Sequence, residues 1–256
     1  MKNIENVKEK NICDYTGFDY KKVFWEGQNR EYEDICEKQS ISKLLRKINL
    51  RFNYIMDAGC GYGRLFPSYS NYGEKFIFLD YAENLLNQAK KDMEIKFSKN
   101  TNYIRGNMYN IPLKDNSVDL VISIRTLHHM DQLSKFFAEA NRVLNKKGYF
   151  LFEIPNKRHL LNIFKYVFKK SRNNPFSKEN FLISDHFYNY HPATVMAELN
   201  KNGFVYKEKI ATSFFRSQSL KKYINNKALV WMDSVFQNIF SFTDLTPSIY
   251  ILCQKH

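Results

Sequence analysis

Five short apolar segments, each about as long as a β-strand, alternate with amphipathic segments that have helical spacing. The strand-like segments cover residues 53–57, 74–80, 102–106, 119–124 and 149–154. The fourth of them, DLVISI, is apolar almost throughout, which is typical of a strand covered on both faces. Regular alternation of strands and helices predicts an α/β fold, with a parallel sheet between layers of helices.

Helical periodicity is clear over residues 30–48, 83–96 and 133–144. The alternation breaks after Pro155, where a basic and apolar stretch precedes a loop-like one over 176–191. A helix over 193–203, a strand over 204–215, a helix over 221–242 and a strand over 247–253 are predicted to follow. A tight turn is predicted at 145–148, between the third of the clear helices and the fifth strand.

Composition excludes several classes of protein. The chain has 256 residues, and 44% of them are apolar, which is enough for a packed core. No apolar run reaches the roughly 18 residues that a membrane span needs, and Met1–Cys13 lacks the apolar core of a signal peptide, so we expect a cytoplasmic protein. Cys13, Cys36, Cys60 and Cys253 are scattered, so neither a disulfide framework nor a metal site is expected.

The net charge has two interpretations. Lys plus Arg is 39 and Asp plus Glu is 26, which gives +13. Such a surplus can attract nucleic acid, anionic lipid or acidic substrates. Because the basic residues are spread along the chain, the interpretation that we favour is lysines on solvated faces.

A glycine-rich turn follows the first predicted strand. It reads DAGCGYG over residues 57–63, and three alternate glycines allow the backbone to turn tightly and approach a ligand closely. A nicotinamide-binding loop would place its third glycine at position 64, which is Arg64. The spacing therefore disfavours a nicotinamide cofactor.

Two further strand ends carry polar residues. Asp80 closes the second strand, where a carboxylate can accept both hydroxyls of a ribose, or can instead cap the helix that follows. Gly106, Asn107 and Met108 follow the third strand, where a polar atom and a soft side chain could hold an adenine ring. Ligands of parallel sheets bind beyond such carboxyl ends.

These features occur in an order that resembles the class I S-adenosylmethionine-dependent methyltransferases, in particular the small-molecule enzymes that include the quinone-biosynthesis methyltransferases. The resemblance covers about residues 30–203 and includes the glycine turn, Asp80, the GNM, IPL, DNSVD and LHH sequences, and RVLNKKG. It implies a Rossmann-like, doubly wound sheet of seven mostly parallel strands with an antiparallel final strand. It also implies that residues 1–50 form an arm and helix that cap the cofactor site, that 51–256 form the catalytic domain, and that 155–192 form a lid-like insertion.

The resemblance implies S-adenosylmethionine as cofactor and assigns residues to it. Gly59, Gly61 and Gly63 would lie against its methionine end, Asp57 would face its ammonium group and Asp80 would hold the ribose. The other implied contacts are Tyr81, Leu85, Asn107, Met108, Ile124 and Arg125. Asn107 stands where the family usually has Asp, but its amide oxygen can still accept a hydrogen bond from adenine.

No single residue is indicated as the catalytic base. Methyl transfer from a sulfonium needs alignment more than acid–base catalysis, unless the acceptor has a high pKa. The weak candidates are Tyr20, His128, His129, His186 and His191. For His128 and His129 the alternative is structural, with one ring packed in the core and the other facing the cofactor loop.

The segment 157–172 bears on the acceptor. Its apolar residues recur at helical steps and are surrounded by Lys and Arg. Such a helix can pack on the core in the ordinary way, can cover an apolar acceptor, or can lie on an anionic membrane. A small, hydrophobic acceptor is therefore one hypothesis, while the acceptor atom and the oligomeric state stay open.

Two other functions compete with small-molecule methyl transfer. A nucleic-acid methyltransferase is favoured only by the net charge, and residues 124–127 read IRTL rather than an NPPY-like tetrapeptide. A protein that binds the cofactor without turnover is suggested only by Asn107.

Overall fold

The chain is described here from a computed structural model for residues 14–96, 100–184 and 187–256. The predictions for Met1–Cys13 and for His186 lie outside the described residues. Within those residues, no helix combines the length and apolar character that crossing a bilayer requires.

The core of the fold is a seven-stranded sheet. Strands are numbered along the chain, and the sheet order is β3-β2-β1-β4-β5-β9-β8. Six strands are parallel, while the last in sequence is antiparallel to both of its neighbours, so the predicted α/β fold is confirmed. The strands of this sheet are β1 (Phe52–Ala58), β2 (Gly73–Asp80), β3 (Asn100–Arg105), β4 (Val118–Ser123), β5 (Leu144–Pro155), β8 (Phe204–Thr212) and β9 (Ser248–Lys255).

Both faces of the sheet are covered, as the apolar strand sequences predict. Successive residues of β1 illustrate this: Ile55 packs into one core cluster and Met56 into the other, and neither is exposed. Because neighbouring side chains of a strand point to opposite faces, a strand buried on both faces must be apolar at consecutive positions. The helices of the described residues are α1 (Tyr20–Phe24), α2 (Glu31–Ile48), α3 (Glu83–Lys96), α4 (Leu133–Val143), α5 (Leu160–Val167), α6 (Pro192–Lys201), α7 (Gln218–Tyr223) and α8 (Asn226–Phe240).

The structure differs from the predictions mainly after α4. The predicted turn at 145–148 lies within β5, where Lys147 has a φ of 62° and the pairing with β4 shifts register. The predicted single helix over 221–242 is two helices, because the side chain of Asn225 accepts a hydrogen bond from the N–H of Ala228 at 2.8 Å and begins a new helix. The predicted loop 176–191 contains a small hairpin of two strands, β6 (Phe181–Ser184) and β7 (Phe187–Asn189).

Helix α5 forms within the basic segment 157–172 but is shorter than that segment. None of its residues is buried, and Phe164 is 51% exposed. The prediction of an ordinary helix packed on the core is therefore wrong. An exposed apolar helix face usually marks a site of interaction.

Candidate functional site

The carboxyl ends of four adjacent strands, β1 to β4, meet along one rim of the sheet. They border a cleft that is partly open to solvent, here called the rim cleft. Nine of its lining residues were implied as site residues by the resemblance or named as candidate bases, among them Tyr20, Gly59, Asp80, Tyr81, Leu85, Arg125 and His129. Asn107 and Met108 line it too. The strand-end residues that the sequence singles out therefore converge in space.

Asp80 is fixed by the glycine turn. Its Oδ2 accepts a hydrogen bond from the N–H of Gly61 at 2.7 Å, and its Oδ1 accepts one from the N–H of Ala82 at 3.0 Å. Burial raises the pKa of Asp80, although the N–H groups of Ala82 and Gly61 oppose the shift. Each carboxylate oxygen can accept a second hydrogen bond, so Asp80 can order the local turns and still present oxygens to a ligand.

The polar and apolar residues after β3 form the other wall of the rim cleft. The Oδ1 atom of Asn107 accepts a hydrogen bond from the N–H of Tyr109 at 2.8 Å. Leu85, on α3, is only 3% exposed and lines the same cleft. An apolar surface beside an amide group suits a flat heterocycle with polar edges.

A second and smaller pocket, the inner pocket, also borders Gly59 and Arg125. It brings Asp57 and Ile124 together, as expected from the sequence. Gly61 and Gly63 are not among the lining residues of either pocket. At Gly63 an added Cβ atom would lie 3.3 Å from Cε of Met93, so there is little room for a side chain between the glycine turn and α3.

Asp57 is buried at the floor of the inner pocket. Its Oδ2 accepts a hydrogen bond from the hydroxyl of Tyr69 at 2.5 Å. Burial raises the pKa of Asp57 from its usual 3.8 to about 7, and the hydrogen bond from Tyr69 opposes this shift. The protonated form is favoured in the folded state, so the contribution of Asp57 to stability falls as the pH rises between these two values.

We therefore expect Asp57→Asn to gain stability relative to wild type as the pH rises from about 5 to about 8. The amide oxygen of Asn can still accept from Tyr69, but no buried charge forms. Urea unfolding at several pH values measures the difference, with the exposed Glu74→Gln as control. A difference that does not change with pH would contradict the pKa assigned to Asp57.

An ion cluster closes the inner pocket on the side of the N-terminal arm. Arg64 donates to Glu37 at 2.5 Å, and Nε of Arg125 donates to the other oxygen of Glu37 at 3.0 Å. Burial alone would raise the pKa of Glu37, but Arg125 and Arg64 outweigh it and lower the pKa to about 2. The guanidinium of Arg64 lies 3.5 Å from the ring centroid of Trp25. Glu37 was not identified from the sequence, because its position in α2 carries no motif.

The candidate bases separate into different environments. His129 lines the rim cleft, and its Nε2 lies 3.0 Å from the hydroxyl of Tyr15. His128 is buried beside Phe187, with ring centroids 4.4 Å apart, and burial lowers its pKa well below 6.5. His191 caps α6, where its Nδ1 accepts from the N–H of Ala193. Of these three histidines, only His129 is in the cleft.

The rim cleft also includes residues that the sequence analysis did not identify, namely Tyr15, Tyr109, Thr126 and Met130. Tyr15 belongs to the arm and reaches the cleft only because the arm folds back over the rim. Its ring packs edge-on against Tyr20 at 5.0 Å between centroids. The aromatic residues of the arm are visible in the sequence, but the sequence does not show that they lie against the rim cleft.

Comparison with known proteins bears on this arrangement. A family profile described as a methyltransferase domain matches residues 56–152. An uncharacterized protein of Methanocaldococcus jannaschii is 33% identical over 124 residues, which are 48% of this chain and 50% of that protein. A malonyl-(acyl-carrier protein) O-methyltransferase of Buchnera aphidicola is 32% identical over 110 residues, which are 43% of this chain and 42% of that protein. The chain thus spans about half the length of these relatives, or less.

Solved structures share the fold over most of the chain. The magnesium protoporphyrin IX methyltransferase of Synechocystis PCC 6803, solved with bound SAH, superposes with a TM-score of 0.59 and 15% identity. The superposition covers 93% of this chain and 92% of that one. The matched residues 56–152 include the glycine turn, Asp80 and the ends of β2 to β4. Residues 56–152 therefore match a methyltransferase domain, and the seven-stranded sheet has the fold of solved S-adenosylmethionine-dependent methyltransferases.

Proposed function

We propose that this protein transfers the methyl group of S-adenosylmethionine to a small, apolar acceptor. The observation that carries the proposal is the position of Asp80: a carboxylate held by the glycine turn, at the carboxyl rim of the sheet, with an open cleft beside it. When bound, S-adenosylmethionine supplies a methyl group on a sulfonium, which leaves as a neutral thioether. The protein must then align the partners and exclude water.

The residues present fit this cofactor. Asp80 would accept from the ribose hydroxyls, and Leu85 with Met108 would contact the adenine. Asp57 and the turn at Gly59 would hold the methionine end in the inner pocket. The inner pocket is polar, and the rim cleft has both polar and apolar walls. This difference supports an orientation of the cofactor with its methionine end in the inner pocket and its adenine in the rim cleft.

The N-terminal arm would complete the site. Tyr20 lines both pockets, and Tyr15 lines the rim cleft. We propose that these rings shield the reacting atoms from water, in agreement with the capping role expected for residues 1–50. The pair of Tyr15 and His129 is then the best-placed group to accept a proton from the acceptor, because a base must lie within hydrogen-bond reach of the reacting site.

The apolar nature of the acceptor is supported by α5. The exposed apolar face of α5 lies within the insertion 155–192. The proteins that this chain resembles are named for different acceptors, so they do not identify the acceptor of this chain. We propose that α5 covers the acceptor, and contact of α5 with an anionic membrane is the competing role that the same face would suit.

Isothermal titration calorimetry tests the cofactor assignment. We expect saturable binding of S-adenosylmethionine and S-adenosylhomocysteine, and no binding of NAD. Labelled S-adenosylmethionine, incubated with a panel of apolar acceptors and with tRNA, then tests transfer. Binding of NAD instead, or transfer to tRNA alone, would contradict the proposal.

A further inference from the structure

A second large cavity lies on the same rim of the sheet, beyond β5, β9 and β8. It is an open groove of about 610 Å³ between α5 and α8, here called the lateral groove. Its walls include Leu160 and Phe164 of α5, Phe214 after β8, and Phe236 and Phe240 of α8. The rings of Phe214 and Phe236 lie 5.5 Å apart between centroids, so one wall is a packed aromatic surface.

One charged group interrupts these apolar walls. Arg216 lines the groove, and its Nη2 donates to Oγ of Ser248 at 2.6 Å. Its Nε is buried and has no hydrogen-bond partner among the described residues. No carboxylate of those residues lies within 4.0 Å of its guanidinium nitrogens. Arg216 therefore offers a buried N–H donor that the fold leaves without a hydrogen bond, which is costly unless a ligand accepts from it.

Polar groups link Arg216 to the rim cleft. Ser248 donates to Oε1 of Glu153 at 2.5 Å, and Glu153 interacts electrostatically with both Arg125 and Arg216. Arg125 lines the rim cleft and the inner pocket. A chain of polar contacts thus connects Arg216 of the lateral groove with Arg125 of the proposed methyl-transfer site.

The combination identifies the chemistry of the occupant. An uncharged apolar molecule would leave Nε of Arg216 without a hydrogen-bond acceptor, and a small anion would leave the aromatic walls uncovered. A carboxylate on an alkyl chain satisfies both, since an Arg–carboxylate pair is a strong, directional interaction and the chain buries apolar surface. The exposed apolar residues of α5 would become covered by such a chain.

We propose that the lateral groove binds a long-chain carboxylate, with its carboxylate on Arg216 and its chain between α5 and α8. Binding of this carboxylate does not depend on the proposed function. The proposal names the chemical class that the insertion 155–192 selects.

Calorimetry on the full chain with decanoate, decanol and acetate tests this proposal. We expect decanoate to bind at least tenfold more tightly than decanol, and acetate to show no measurable binding. Arg216→Met should weaken decanoate binding at least tenfold and leave decanol binding unchanged, and Arg216→Lys should restore part of the loss. Arg172→Met is the matched control, because Arg172 is exposed near α5 and should leave decanoate binding unchanged.

Equal binding of decanoate to wild type and Arg216→Met would overturn the proposal. A dimer in sedimentation that decanoate does not dissociate, or vesicle binding through α5 without decanoate binding, would overturn it as well. S-adenosylhomocysteine is titrated into the same variants. If S-adenosylhomocysteine fails to bind while decanoate binds through Arg216, the proposed function fails and the carboxylate site stands. If S-adenosylhomocysteine binds while decanoate does not, only the carboxylate site is contradicted.

Discussion

Gly59→Ala is expected to destabilise the protein by roughly 2–5 kcal/mol and to abolish binding of S-adenosylhomocysteine. Gly59 has a φ of +77°, a conformation that costs a residue with a Cβ atom about 1–2 kcal/mol. The added Cβ would lie 2.1 Å from Cγ2 of Thr126, which is buried. Relief of this clash requires a shift of the glycine turn or of the segment after β4. Both border the rim cleft, so the shift would change the shape of the cofactor site. Urea unfolding and calorimetry measure the two effects.

Two further variants separate backbone strain from the clash. Gly17→Ala has a similar φ of +79° with no atom within 4 Å, so it should show the strain alone. Thr126→Ser removes Cγ2 but keeps the hydroxyl, which is 2.5 Å from the hydroxyl of Ser123. In the Gly59→Ala background, this second change should recover the part of the stability lost to the clash. Equal stability of Gly59→Ala and Gly17→Ala would show that the close approach to Thr126 is not present.

Asp80→Ala is expected to weaken binding of S-adenosylhomocysteine by about 1–3 kcal/mol, which is roughly a 5-fold to 150-fold loss. The loss has two sources. The ribose hydroxyls would lose their acceptor, and the N–H of Gly61 would lose the carboxylate that positions the glycine turn. Calorimetry of the variant and of wild type measures the change.

The control for this variant lies on the same strand. Glu74→Ala removes an exposed carboxylate near the start of β2, at the end of the strand that lies away from the carboxyl rim. We expect Glu74→Ala to bind like wild type. If Asp80→Ala also binds like wild type, Asp80 serves only as a local turn-forming residue, which was the alternative that its position allowed.

The central sheet and part of the site follow from local sequence. Strands β1, β2, β4 and β5 each bury consecutive residues on both faces, so their apolar composition identifies them as strands, as in the DLVISI run of β4. Parallel strands bring their carboxyl ends to one rim, so residues as distant as Gly59 and Asn107 could be expected together. The ends of the strands were less predictable. A turn was expected at 145–148, but a bulge at Lys147 allows β5 to pair with β4 on both sides of it.

The remaining parts of the site depend on contacts between distant segments. Glu37 pairs with Arg125, which is 88 residues away, and no periodicity encodes that contact. The lateral groove combines α5 with Phe214 and α8, which lie in separate parts of the chain. For α5 itself, the sequence pattern predicts an apolar face but not whether the core covers it, and in the structure the core does not.

A crystal structure with S-adenosylhomocysteine tests the central claim most directly. We predict electron density for the nucleoside in the rim cleft, with the ribose hydroxyls within hydrogen-bond distance of Asp80 and the methionine end directed into the inner pocket. Density at any other place on the protein, or a ribose that does not contact Asp80, would contradict the account.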